Sequence, residues 1–64
     1  MELKSSVIKS ADSAGQDLDI TFKDGDKTYR YYGAADHFAD ICTAPSAGKY
    51  FRARILGQFD FAQL

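Results

Sequence analysis

Hydrophobic and polar positions alternate most regularly over residues 18–23, where Leu18, Ile20 and Phe22 are interleaved with Asp19, Thr21 and Lys23. A period of two is that of a strand with one face in a core and the other in water. Asp24 and Gly25 follow, a dipeptide suited to a tight type I′ turn, and residues 28–32 supply a second β-rich run. With Asp24 and Gly25 as a two-residue loop, Lys23 faces Asp26, Phe22 faces Lys27 and Thr21 faces Thr28. Further out, Ile20 faces Tyr29, Asp19 faces Arg30 and Leu18 faces Tyr31. One face then collects Leu18, Ile20, Phe22, Tyr29 and Tyr31. The other holds a threonine pair and two opposite-charge pairs, Lys23 with Asp26 and Asp19 with Arg30. Such cross-strand pairs contribute about 0.2–1 kcal/mol each. A slip of one residue would turn the whole apolar set into water, so the pattern specifies this register firmly.

Upstream, Val7 and Ile8 predict a further strand that ends near a loop over residues 12–16. After Gly33 the period lengthens. Phe38, Ile41 and Cys42 stand at i, i+3 and i+4, the spacing of an amphipathic helix, and Pro45 ends it. Ser46 is placed to cap a second helix beginning near Ala47, with Gly57 suited to a position just past its end. At about 100° per residue, Tyr50, Phe51 and Ile55 share one arc, and Lys49 and Arg52 project together from the opposite side. The tail alternates Phe59 and Phe61 and is expected to run back along the sheet or the helices. The predicted fold is α+β: a three-stranded antiparallel meander with two short helices packed on one face, in the order βββαα. Its core comprises Leu18, Ile20, Phe22, Tyr29, Tyr31, Phe38, Ile41, Phe51 and Ile55.

Length fits this picture, because 64 residues allow one domain, spanning 1–64, with a small core that hides only about 60% of the unfolded surface. The single cysteine, Cys42, excludes an internal disulfide and a thiolate metal site. It lies on the apolar side of the first helix and reads as a small core hydrophobe. No apolar run approaches the ~20 residues of a membrane span, and residues 1–10 do not resemble a signal peptide. The expected compartment is the cytoplasm.

Net charge is −1, divided unevenly: residues 1–40 hold five basic and eight acidic side chains, and residues 41–64 hold Lys49, Arg52 and Arg54 against Asp60. A dedicated nucleic-acid binder would carry a clear basic excess. Arg54 falls inside the apolar arc of the second helix and is expected to pair with Asp60 or an aspartate of the first helix. His37, Asp36 and Asp40 read as a solvated helix face rather than a metal or acid–base cluster, which would need converging ligands or an oriented base. The glycines occur singly at turns, so no phosphate-cradling loop is present. No enzyme, cofactor or metal is indicated.

Several stretches together resemble the KTSC domain: Ser5, Ser6, Val7 and Ile8 near the start, a strand ending in Asp24 and Gly25, and Tyr29-Arg30-Tyr31. The run 46–51, Ser-Ala-Gly-Lys-Tyr-Phe, and Ile55 with Gly57 complete the resemblance. That family is a domain of bacteria and phages, named for its occurrence at the C-terminus of some lysyl-tRNA synthetases. Members often carry Asn where this chain has Arg52, Arg where it has Leu56, and Val–Pro where it has Ala34 and Ala35. The family brings no established activity, and RNA binding is implied only by its association with the synthetase and by the Tyr–x–Tyr motif. The expected contacts for RNA or another partner are Arg30 and Tyr32, the aromatic–basic pair on the polar face, together with Lys49 and Arg52. The rival expectation is a protein-interaction module or homodimer that uses Phe59, Phe61 and Leu64 or an unpaired strand edge.

Overall fold

The computed structural model describes residues 1–64. Strands β1 (Ile8–Ala14), β2 (Asp17–Phe22) and β3 (Thr28–Tyr31) form the meander, and β4 (Phe61–Gln63) adds a fourth strand beside β3. Between β3 and β4 lie a 3-10 turn (Ala35–His37) and helices α1 (Phe38–Thr43) and α2 (Ala47–Arg54). The architecture is α+β, an antiparallel sheet covered on one face by two helices. It has four strands rather than three because the tail returns to pair with β3. Tyr31 lies opposite Phe61, Arg30 opposite Ala62 and Tyr29 opposite Gln63.

The β2–β3 register is Leu18 with Tyr31, Asp19 with Arg30, Ile20 with Tyr29 and Thr21 with Thr28. The loop that sets it is longer than the expected two residues. The Phe22 N–H donates to the Lys27 carbonyl at 2.9 Å, enclosing residues 23–26. Gly25 and Asp26 take φ of 77° and 52°, one position later than a type I′ turn on Asp24 and Gly25 requires. Both loops share the same centre, so parity and register are preserved. The expected pairing of Lys23 with Asp26 is absent. Asp26 instead meets Lys9 across the sheet at 3.2 Å, and the Lys23 backbone N–H donates to the Val7 carbonyl.

β1 continues to Ala14, so residues 12–16 are not a loop. The turn is only Gly15 and Gln16, with Gly15 at φ 62°, as a tight hairpin with glycine at its first central position requires. Ile8 and Ala11 are both fully buried although three residues apart. A bulge between Ile8 and Ser10 absorbs the extra residue and returns the strand to its inward phase. Pro45 holds Ala44 extended (φ −64°, ψ 142°), ending α1, and the Ser46 hydroxyl accepts from the Lys49 N–H at 3.3 Å to start α2.

The core is Ile8, Ala11, Leu18, Ile20, Tyr31, Ala34, Ile41, Ala47, Phe51 and Ile55. Of the residues the apolar pattern places inside, Phe22, Tyr29 and Phe38 are half-buried at its margin. Ile8, Ala11, Ala34 and Ala47 join it without an alternating signal.

Candidate functional site

Helix α2 lies across the sheet with Phe51 pointing down. The Phe51 ring meets Phe22 and Tyr31 edge-on, at centroid distances of 5.4 and 5.3 Å. Beyond Phe51 the helix covers nothing more. Tyr29 stands between Phe22 (5.7 Å) and Phe61 (5.8 Å), and Phe61 tilts over Tyr31 at 5.4 Å. These rings floor an open groove of about 700 Å³ between α2, the 23–27 loop and β4. Val7, Leu56 and Phe61 stand on its rim with 39%, 48% and 54% of their surface exposed. Val7, Leu56 and Phe61 border one open hollow whose lining also includes Ser6, Asp24 and Lys27.

The opposite face of the sheet is different in kind. Register places Ser10, Asp12, Asp17, Asp19, Thr21, Thr28, Arg30 and Ala62 there. Arg30 grips Asp19 with two hydrogen bonds, Nε to Oδ1 at 2.8 Å and Nη2 to Oδ2 at 2.9 Å. This carboxylate raises the guanidinium's pKa above its ordinary value, first through the hydrogen bond and then through its charge. Thr21 and Thr28 share a hydroxyl contact of 2.7 Å, and Asp17 accepts the Gly33 N–H at 2.9 Å. Arg30 occupies Asp19 and the N-terminal ammonium meets Asp12 at 2.6 Å, so Asp17 leaves this face one negative charge in excess. Tyr32, just past β3, is 47% exposed.

A family model for the KTSC domain matches residues 4–59 of the chain, nearly its whole length. The chain belongs to the KTSC domain family. No curated protein matches it. The match stops short of β4, so the strand that completes the groove lies outside the matched span.

In this KTSC domain the four expected contact residues do not converge. Arg30 and Tyr32 belong to the sheet side, whereas Lys49 and Arg52 are exposed on α2, across the sheet. Arg52 lies one helical turn after Gly48, which sits beside Val7, so it stands on the Val7 side of α2. Arg54 is exposed and makes no ion pair with Asp60 or an α1 aspartate. The Tyr50 hydroxyl occupies the Asp40 carboxylate instead, at 3.4 Å, and also meets His37 Nδ1 at 2.7 Å. His37 is therefore not a freely solvated residue. It is half-buried, with its ring edge-on to Tyr50 and Phe59. Cys42 packs at the core margin, and burial pushes its thiol pKa up.

Burial also raises the Tyr31 hydroxyl pKa, with the neighbouring Tyr29 adding to the effect, and burial followed by Asp40 raises that of Tyr50. A raised folded-state pKa contributes stability below the unfolded tyrosine value of about 10, and that stability is lost as pH climbs through the folded value. Urea midpoints should therefore fall at alkaline pH, and Tyr31→Phe should flatten part of that fall. An identical alkaline profile in Tyr31→Phe would show that Tyr31 carries none of it.

Val7 and Leu56 gave no signal of a binding surface: Val7 read only as part of a strand, and Leu56 falls outside the apolar arc of α2. Phe61 did, through its alternation with Phe59.

Proposed function

We propose that this KTSC domain is a non-catalytic binding module whose helix-side groove takes apolar side chains of a protein partner. The carrying observation is the aromatic floor of Phe22, Tyr29, Tyr31 and Phe51 facing a hollow bordered by Val7, Leu56 and Phe61. Filling such a hollow withdraws Val7, Leu56 and Phe61 from water, which contributes roughly 25 cal/mol per Å² of apolar surface.

RNA is the less favoured ligand. Stacking platforms combine exposed rings with a cationic track, and these features are separated in this fold. Arg30 is committed to Asp19, the face around it is acidic, and Tyr29 and Tyr31 lie on the other side of the sheet. The unpaired cations Lys49, Arg52 and Arg54 on α2 supply only a weak, salt-sensitive attraction.

Affinity capture from native lysate, with and without nuclease, separates the two ligands when wild type and Leu56→Asp are run together. Leu56 is exposed, so the variant is expected to fold. A protein retained by wild type after nuclease and high salt, and lost with Leu56→Asp, is the expected result. Bound material that disappears with nuclease, equally for both chains, would transfer the assignment to RNA.

A further inference from the structure

We infer that the groove's ligand is an extended peptide that adds to the free edge of β4 as a fifth strand, its apolar side chains entering the groove and its acidic residues lying at the flank. This inference rests on the protein-binding reading and specifies the partner's form. The Tyr32 N–H donates to the Asp60 carbonyl at 2.9 Å and the Leu64 N–H to the Thr28 carbonyl at 2.8 Å, with Arg30 opposite Ala62 between them. In an antiparallel ladder this phase spends the backbone groups of Asp60, Ala62 and Leu64 on β3. Those of Phe61 and Gln63 point away from it, along the outer edge of the sheet.

The two edges of the sheet are treated differently. Residues 1–3 cover β1: Glu2 bridges to Ser10, the Leu3 N–H donates to the Lys9 carbonyl, and the Ala11 N–H donates to the Met1 carbonyl. Nothing covers β4, whose sequence Phe-Ala-Gln contains neither a charge nor a proline to discourage pairing. A strand residue bonded to Phe61 or Gln63 places its side chain on their face of the sheet, which is the groove face. Alternate residues of an added peptide would therefore reach Phe61 and the adjoining hollow.

Charge selects the flanks. Lys27 at the groove lip and Arg52 on α2 have no ion-pair partner, and neither has Asp24, the one carboxylate among the lining residues, so the free cations outnumber it two to one. A second copy suits the edge less well. β4 is three residues long, and a two-fold pairing about Ala62 would set Phe61 against Gln63 and leave both grooves unfilled.

The test is a display selection of random heptapeptides on the full chain, followed by anisotropy of the synthesised winners. The expected consensus alternates apolar residues and carries Asp or Glu at one end. Gln63→Pro removes an outward N–H that the fold does not use, at an edge where proline is tolerated. It should weaken binding at least tenfold with thermal unfolding unchanged. N-methylating the peptide amides that face β4 should abolish binding, whereas methylating the alternate amides should not, a readout independent of how the variant folds. Binding insensitive to Gln63→Pro and to both methylation patterns would overturn strand addition while leaving the groove reading intact. Failure of any peptide to enrich would overturn the groove reading itself. Self-association lost with Gln63→Pro would assign the edge to a second copy and overturn the proposal.

Discussion

Phe51→Ala should cost about 3–5 kcal/mol, a third or more of the domain's stability. A chain of 64 residues has a total stability of roughly 3–10 kcal/mol at ~0.05–0.15 kcal/mol per residue. Phe51 is 6% exposed and is the side chain through which α2 meets both Phe22 on β2 and Tyr31 on β3. Removing the ring leaves a void that Ala47 and Gly48, the small residues on the same side of α2, cannot fill. The measurement is urea denaturation followed by circular dichroism, with Phe51→Leu as a milder control. A loss under about 1 kcal/mol, within the range of ordinary substitutions, would show that α2 is not seated on the sheet through this residue.

Ile20→Ala should cost about 2–5 kcal/mol and Ile20→Val about 0.5–1.5. Ile20 is fully buried in β2, with Ala11 and Tyr29 beside it on the neighbouring strands. Its neighbour Thr21 turns to the acidic face and meets only Thr28 through a hydroxyl contact. Thr21→Ala should therefore cost much less than Ile20→Ala in the same denaturation experiment. Comparable losses at the two positions would mean that adjacent residues do not face opposite sides, and the register would be wrong.

The β2–β3 hairpin was legible in the sequence because two signals agreed: the period of two over residues 18–23 and a turn centre between Asp24 and Gly25. Widening the loop to residues 23–26 keeps that centre, so the inward set survives an error in turn type. Pro45 and Ser46 located the break between the helices for equally local reasons. β1 was poorly legible because the bulge near Lys9 spaces Ile8 and Ala11 by three, which disguises a strand as neither period. β4 was legible only as an alternation of Phe59 and Phe61 expected to return along the sheet or the helices, with no partner strand assigned. It is three residues long, and its partners Tyr29 and Tyr31 are about thirty residues away in sequence.

The site was legible only in fragments. Pairing of Arg30 with Asp19 follows from register, and with it the occupation of the one cationic side chain that register places on the polar face. Arg54, which its angle places inside the apolar arc, is exposed and unpaired, and Tyr50 is the residue that reaches Asp40. The groove has no local signature. It exists because α2 meets the sheet through Phe51, which reaches Phe22 on β2 and Tyr31 on β3 but not β4. That limited reach leaves Phe61 and Tyr29 outside the shelter of α2.

Mapping backbone amide shifts in the isotope-labelled domain, as a selected peptide or captured partner is titrated in, tests the location of the ligand most directly. Shifts centred on Val7, Phe22, Tyr29, Leu56 and Phe61 are the predicted result. Shifts centred on Asp17, Asp19, Arg30 and Tyr32, with the groove residues unmoved, would place the ligand on the acidic face and contradict it.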